Sequence, residues 1–410
     1  MKNKILRFLD QVIYWSIIAF PFFMGVAPAP MNAFMGFIIA GFLLKKAIKR
    51  EKLFNDTPVN LPLLIFFLIT VISIVHSVDL KDTIKGGILR LLQFIAVFFV
   101  VAQEVKDKKH ILRIILSIGA GLLFVSIDSF WQVGFGRDFV RGYEPVINIG
   151  LKRATASFKD SNILGVYLSA LAPLIFGATL FYSKGAKKIG LSVLSAIVLG
   201  GILLTYSRPT LLAIYIVFWF FAIARKNKAL TVILILLTLA SPFLLPKSVK
   251  DWAKEVEYNP LRFMCNDDRV AFYQHSLNMI KAHPVIGLGA NTYMKNYKYY
   301  KNYPEYKGVV TIDTVYAHNN FLHMAAELGL TGFAVFIWFL IRMFKEAATI
   351  QRKLKDNFLS IAALSIIACL IAFLVNGLTE SSLYYSRVAA VFWYLIGLIF
   401  AFKKIAYADR

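Results

Sequence analysis

The sequence predicts an all-α membrane protein with about twelve transmembrane helices and a large, partly helical loop between the ninth and tenth. Three observations predict this class. Hydrophobic residues make up 58% of the 410 residues, and the mean hydropathy of +0.64 exceeds what a soluble core can bury. Apolar runs of roughly 20 residues, the length that crosses about 30 Å of hydrocarbon, recur along the chain. Basic residues cluster in alternate connections between these runs.

Twelve apolar segments are long enough to be candidate spans. We therefore predict nine spans over 1–245, an external loop domain over 246–320 that contains an amphipathic helix, and three further spans over 321–410. The candidate spans lie near 11–28, 31–48, 61–77, 86–104, 111–130, 162–182, 187–205, 209–224, 229–245, 321–344, 358–376 and 386–402.

The positive charges predict the orientation of these spans. More than half of the 46 lysines and arginines lie at the two termini and in five short connections between them. The short connections on the opposite side hold only a few. Because positively charged loops stay in the cytoplasm, both termini are predicted to be cytoplasmic. The excess of 46 basic over 23 acidic residues is thus explained by the membrane, and no nucleic-acid partner is predicted.

Several familiar catalytic motifs are missing from the sequence. It has no glycine-rich phosphate loop of the Walker type, no His-Glu-x-x-His and no Asp-x-Asp motif of metal-dependent sugar-nucleotide transferases. The two cysteines, Cys265 and Cys369, lie far apart and predict neither a disulfide nor a zinc site. No metal or cofactor is predicted, so any chemistry must depend on arginines, histidines and isolated carboxylates at the outer face.

Two arginines are predicted at helix N-termini on that face. Ser207 as N-cap and Pro209 in the first turn place Arg208 at the start of a span. Arg269 falls in the first turn of the loop helix, behind two aspartates. Backbone N–H groups and a guanidinium that converge make a phosphate site. The alternative is that Arg208 extends to lipid headgroups at the membrane surface and that Arg269 forms a surface ion pair with the two aspartates before it.

The tenth predicted span begins with His318, Asn319 and Asn320 and contains Glu327. A histidine at a helix N-terminus is held in its neutral form, which a general base requires. A capping or other structural hydrogen bond is the alternative. Glu327 lies about two turns into the hydrocarbon, so it should pair with a cation such as Arg90, or stay protonated.

Three other polar features have weaker signals. The loop behind Arg153 predicts an Asn or Ser cap for the sixth span, with Asn162 near its start. Asp128 in the fifth span is expected to pair inside the bundle. The tyrosine-rich stretch 293–306 predicts an interfacial belt or a surface that faces sugars.

In their order along the chain, these motifs resemble the O-antigen ligase and polymerase family of membrane glycosyltransferases. The resemblance covers about residues 150–345. Its motifs run from Arg153 to Asn162, from Tyr206 to Arg208, from Arg269 through the His283 to Gly289 turn, and from His318 to Glu327.

The resemblance implies a C-type glycosyltransferase fold in the bacterial inner membrane, with its active site facing the periplasm. It implies metal-independent transfer of a glycan from undecaprenyl pyrophosphate to a hydroxyl of the lipid A core oligosaccharide. Arg208 and Arg269 match the arginines that hold the donor pyrophosphate, and His318 matches the base. Polymerisation of repeat units or transfer to protein would use the same donor, and a polysaccharide flippase is the non-enzyme alternative. The predicted substrate-binding residues are Arg90, Arg153, Asn162, Tyr206, Ser207, Asn319, Asn320 and Glu327.

Overall fold

The structure is a computed structural model that describes residues 1–148, 150–244, 247–259, 267–300 and 316–408. A short antiparallel hairpin of β1 (Val146–Asn148) and β2 (Leu151–Arg153) precedes the sixth predicted span. The helices of the described residues are α1 (Lys2–Val26), α2 (Pro28–Lys49), α3 (Asn60–His76), α4 (Leu80–Glu104), α5 (Lys108–Phe135), α6 (Ser161–Tyr182), α7 (Gly185–Leu204), α8 (Arg208–Ala224), α9 (Lys228–Leu244), α10 (Lys247–Glu255), α11 (Asp267–Ala282), α12 (Tyr293–Tyr300), α13 (Asn320–Lys353), α14 (Asn357–Asn376) and α15 (Ser386–Ala408).

Nine of the described helices are long and apolar enough to cross a membrane, by length and composition. The shorter apolar helices α3, α8 and α9 coincide with the three remaining predicted spans. The prediction of an all-α, multi-pass membrane protein is therefore confirmed, while the count of twelve spans stays a prediction. The nine long helices are α1, α2, α4, α5, α6, α7, α13, α14 and α15.

The centre of the bundle is formed by α6, α14 and α15, which are buried along most of their length. Their sequences are apolar on every side, as expected for helices that contact only other helices. α7 lies at the periphery, and its exposed side chains, such as Ile189 and Val193, are apolar. A soluble protein would not expose such a face, so these side chains are expected to contact lipid.

α13 is broken at Gly329, whose φ of 69° and ψ of 178° are not helical. The break frees carbonyl groups of the preceding turn, and that of Ala326 accepts a hydrogen bond from the amide of Leu288 at 3.0 Å. A Cβ at Gly329 would lie 2.2 Å from the carbonyl oxygen of Val285, so only glycine fits. The sequence predicted one uninterrupted span here, whereas the loop 283–289 packs into the break.

We expect the loop domain and the end of α13 to lie on opposite sides of the membrane, because the basic connections alternate. Lys298→Cys and Lys353→Cys test this in a chain without Cys265 and Cys369, since both lysines are exposed. An impermeant maleimide added to intact cells should label only the first variant. Equal labelling of the two variants would contradict the predicted orientation.

Candidate active site

A buried carboxylate, Glu380, lies at the centre of the candidate site. It belongs to the link between α14 and α15, and only 3% of its side chain is exposed. Its Oε1 accepts a hydrogen bond from Nη2 of Arg269, and its Oε2 lies 3.0 Å from Nδ1 of His318. One carboxylate therefore joins two of the three residues that the sequence predicts to be catalytic.

The charge on Glu380 depends on two opposing influences. Burial raises the pKa of its carboxyl group. The hydrogen bond from His318 and the positive charges of Arg269 and Arg153 outweigh burial, and the pKa lies below its ordinary value. Because the pKa of Glu380 is lowered in the folded protein, its ionised carboxylate stabilises the fold at neutral pH. This contribution is lost only as the pH falls through the lowered pKa. Glu380 is therefore a carboxylate at neutral pH.

His318 lies just before α13, in a left-handed backbone conformation with φ of 48°. Its ring stacks on that of Phe272, with 5.5 Å between centroids. An ionised carboxylate only accepts hydrogen bonds, so neutral His318 carries its proton on Nδ1, towards Glu380. Nε2 then becomes an acceptor, and 26% of the side chain is exposed. The side chain of Asn319 caps α13, so a capping role does not explain why His318 lies at this position.

Arg269 lies in the first turn of α11 and is held in the site by that helix. Only 12% of its side chain is exposed, and its described ion pair is with Glu380. One turn later, the hydroxyl of Tyr273 donates to the carbonyl groups of His318 at 3.3 Å and Leu378 at 3.2 Å. The side chains of the two aspartates before Arg269 lie outside the described part of the chain. α11 is thus attached to both segments that meet at Glu380.

Arg208 begins α8, as the sequence predicts, with Ser207 at the N-cap position. The Ser207 hydroxyl does not cap the helix, however, because it accepts a hydrogen bond from Thr210 Oγ1 at 2.9 Å. Tyr206 has a left-handed φ of 49°. Non-glycine residues in this conformation cluster at functional sites, and here both Tyr206 and His318 adopt it beside predicted site residues.

Arg153 lies against the turn that leads to Arg208. Its Nε donates to the carbonyl of Thr205 at 2.9 Å, and its Nη2 donates to Oδ1 of Asn162 at 2.7 Å. Burial and the positive charge of Arg269 lower the pKa of Arg153, while nearby carboxylates oppose this shift. Burial is the largest of these influences, and a bound anion would favour the charged form of the guanidinium.

The loop that carries Arg153 is fixed from two sides. Asp160, rather than a serine or asparagine, caps α6 through hydrogen bonds from two amides of its first turn, so the predicted cap is wrong. Asp160 can ionise and accepts both bonds, which makes it the stronger cap. Arg387 donates to the carbonyl of Ser157 at 2.8 Å and lies 3.6 Å from the ring centre of Phe158.

Glu327 is buried, but it does not pair with Arg90 as expected. Its carboxylate accepts hydrogen bonds from the amides of Asn291 at 2.8 Å and Tyr293 at 2.9 Å, and it lies 3.3 Å from Nε2 of His323. These two backbone amides stabilise the buried side chain of Glu327, a role that the sequence analysis predicted for a cation. Arg90 lines the same cavity as Glu327 without forming an ion pair with it.

Two predicted substrate-binding asparagines form hydrogen bonds within the protein. Asn319 donates to the carbonyl of Leu378 at 2.9 Å. Asn320 is fully buried, donates to Ser382 Oγ at 2.8 Å, and accepts from the amide of Leu383 at 2.9 Å. Both therefore fasten the start of α13 to the link that carries Glu380. Their role in substrate binding stays a prediction.

The remaining polar features also have structural partners. Tyr293 and Tyr297 are buried against Phe272 instead of forming a belt or a sugar-facing surface, while residues 301–306 lie outside the described residues. Asp128 is buried and accepts a hydrogen bond from the amide of Phe139 at 2.7 Å. Among the residues with described positions, no three His, Cys, Asp or Glu side chains group as metal ligands.

Sequence reasoning missed Glu380, although it left a signal. Between two long apolar runs, the link from Leu378 to Arg387 contains one carboxylate among hydroxyl-bearing side chains. A single acid at the end of a span, on the side where the predicted cations lie, is a candidate partner for them. The partners, however, lie 111 and 62 residues away along the chain.

The chain was compared with known proteins. Residues 192–337 match the family model described as O-Antigen ligase. The match includes Arg208, Arg269 and His318, whereas Arg153 and Glu380 lie outside it. No curated protein matches the chain.

Proposed function

We propose that this chain, whose residues 192–337 match the O-Antigen ligase family model, is a member of that family and transfers a glycan from undecaprenyl pyrophosphate to a lipid A core oligosaccharide. Family members are glycosyltransferase-like enzymes. The observation that carries the proposal is the buried group of Glu380, Arg269 and His318, which joins an anion-binding side chain to a base. The reaction would occur at the periplasmic face of the bacterial inner membrane and would need no metal.

The arginines supply the first requirement of this reaction. A glycan attached to a pyrophosphate already has a good leaving group, so the protein must mainly stabilise the negative charge that develops as the bond breaks. Arg269 brings a guanidinium with five N–H donors to the site, one of which donates to Glu380. We propose that Arg153, which lies against the turn before Arg208, and Arg208 itself complete a cationic region for the two phosphates.

His318 supplies the second requirement. The acceptor hydroxyl oxygen forms a bond to the anomeric carbon of the donor sugar while the bond from that carbon to the pyrophosphate oxygen breaks. The hydroxyl proton moves to Nε2 of His318, and the lipid pyrophosphate leaves with the bonding electron pair. This direction of transfer follows from the Nδ1 contact with Glu380, which leaves Nε2 as the acceptor.

Glu380 is a positioning residue in this scheme, because it acts through His318 and Arg269. Its carboxylate fixes the tautomer of His318 and favours the imidazolium that forms during transfer, as in other base–carboxylate pairs. It also holds the Arg269 side chain in one orientation. Both effects need an ionised carboxylate, which the lowered pKa of Glu380 provides.

Glu380→Gln should slow transfer by about tenfold to hundredfold, the usual cost of losing a partner that orients a functional histidine. Donor binding should change less than turnover, and Glu380→Asp should restore part of the rate. The matched control is Glu144→Gln, since Glu144 is 72% exposed and pairs only loosely with Arg137 at 3.5 Å. If Glu380→Gln and Glu144→Gln have the same rate and the same donor affinity, Glu380 has no role in the site.

The identity of the reaction product shows which acceptor the protein uses. Purified protein would be mixed with a lipid-linked glycan and, separately, with lipid A core oligosaccharide, a second lipid-linked glycan, or an unfolded protein. Mass spectrometry should find the glycan joined to the lipid A core. Product only with the second lipid-linked glycan would identify a polymerase, and no product with any acceptor would contradict the proposal.

A further inference from the structure

A buried polar network joins α6, α8 and α14 at positions that lie close along the chain to Arg208 and Glu380. Its members are Ser169 of α6, Thr210 in the first turn of α8, and Asn376, the last residue of α14. All three side chains are fully buried. A polar side chain inside an apolar bundle is costly unless it is hydrogen-bonded, so such a network is a candidate for a functional role.

Hydrogen bonds fix the orientation of the Asn376 amide group. Its Nδ2 donates to Ser169 Oγ at 3.1 Å and to the carbonyl of Ala372 at 2.8 Å. The Ser169 hydroxyl donates its own proton to the carbonyl of Gly165 at 2.8 Å, so it can only accept from Asn376. These contacts direct Oδ1 of Asn376 towards α8, where it lies 3.1 Å from Thr210 Oγ1.

The side chain of Asn376 thereby holds the turn that places Arg208. Oγ1 of Thr210 lies 2.9 Å from Oγ of Ser207, the residue before Arg208. A Cβ on Gly165 would lie 2.5 Å from Thr210 Oγ1 and 3.3 Å from the Cβ of Ser207, so α6 packs directly against this turn. The start of α8 is therefore fixed between α6 and α14.

The main chain of Asn376 holds the other half of the site. Its carbonyl accepts hydrogen bonds from the amides of Thr379 at 3.0 Å and Glu380 at 2.9 Å. These bonds close the first turn after α14 and set the direction in which the chain leaves the helix. One residue thus connects to Arg208 through its side chain and to Glu380 through its carbonyl group.

We propose that Asn376 is a positioning residue that holds Arg208 and Glu380 at a fixed separation. The inference rests on the proposed function, in which Arg208 stabilises the departing pyrophosphate and Glu380 orients the base. Both must act on the same bond, although different helices bring them to the site. An asparagine suits this role because its amide donates to one helix and accepts from another at the same time.

Two substitutions that keep the branching of the original side chains remove the contact between α8 and α14. Asn376→Leu and Thr210→Val should each slow single-turnover transfer by about tenfold to hundredfold, the cost of a small misplacement of catalytic groups. Thr210→Ser keeps the hydroxyl and should restore most of the rate. The matched control is Thr179→Val, because Thr179 joins α6 to α7 in the same way, with its Oγ1 2.9 Å from Ser195 Oγ. The control should transfer glycan at the unaltered rate.

A spin-label distance tests the positioning role without any glycan. Nitroxides would be attached at Tyr206→Cys and Leu378→Cys in a chain without its native cysteines, since these side chains are 47% and 52% exposed. Their distance reports the separation between the start of α8 and the link that carries Glu380. Its distribution should be narrow in the unaltered network and in the control variant. It should shift or broaden in both network variants.

A changed distance together with slower transfer supports the inference. It is overturned if both network variants keep the distance distribution of the control, or if the distance changes while transfer stays at the unaltered rate. An equal loss of transfer in Thr179→Val would also overturn it, because any lost contact between helices would then have the same effect. If the unaltered protein transfers no glycan, the proposed function fails. The spin-label distances then decide by themselves whether Asn376 holds the two segments together.

Discussion

Arg208→Ala and Arg269→Ala are each expected to lower the rate of glycan transfer by about 10²- to 10³-fold, the usual cost of removing one donor that stabilises negative charge developing in the transition state. Arg208 begins α8 and Arg269 lies in the first turn of α11, and a helix N-terminus favours a bound anion. Lysine at either position should restore only part of the rate, since it is a point charge rather than a planar fork.

Two measurements separate this loss from misfolding. Arg269→Ala leaves the buried Glu380 without its ion pair, so thermal unfolding must be recorded for every variant. Arg137→Ala is the matched control, because Arg137 is 71% exposed and its described ion pair is with the exposed Glu144. Alanine variants at 208 and 269 that transfer glycan at the unaltered rate would show that both arginines only anchor the protein at the membrane interface.

His318→Gln is expected to slow transfer by about 10²- to 10⁴-fold, the usual contribution of a general base. Glutamine keeps a hydrogen-bonding side chain next to Glu380 but cannot take the hydroxyl proton. Donor affinity should stay close to that of the unaltered protein, because the arginines hold the pyrophosphate. The experiment measures donor binding, thermal unfolding and single-turnover transfer on one purified preparation.

The control for this change is another histidine in the same loop domain. His283 lies in the turn after α11 with its ring 5.1 Å from that of His76, and its described contacts do not include Glu380, so His283→Gln should transfer at a near-normal rate. A His318→Gln variant that folds, binds donor and transfers normally would remove the base from the mechanism. Positioning of the donor by the arginines would then be the remaining contribution to catalysis.

Hydropathy predicted the helices well because membrane spans must be continuous and apolar. Every predicted span overlaps a helix of the described residues, and Arg208 begins α8 as the capping pattern indicates. The break at Gly329 was not predicted. A glycine inside an apolar run is compatible with a helix, and only the packed loop 283–289 reveals that the chain turns there.

The members of the candidate site were predicted better than the contacts between them. Arg269 and His318 carry local signals, since each lies beside a helix N-terminus. Their joint partner, Glu380, has no local signal that links it to either residue. The same limit explains Glu327, for which sequence reasoning considered only side chains as partners, whereas the backbone amides of Asn291 and Tyr293 satisfy it.

Glu380 and His318 are proposed to act together in glycan transfer, and a double-mutant cycle distinguishes joint action from independent action. Single-turnover transfer from a lipid-linked glycan would be measured for the unaltered protein, Glu380→Gln, His318→Gln and the double variant. If Glu380 acts largely through His318, the double variant should lose much less activity than the product of the two single losses. A loss equal to that product would show that the two residues act independently and would contradict the claim.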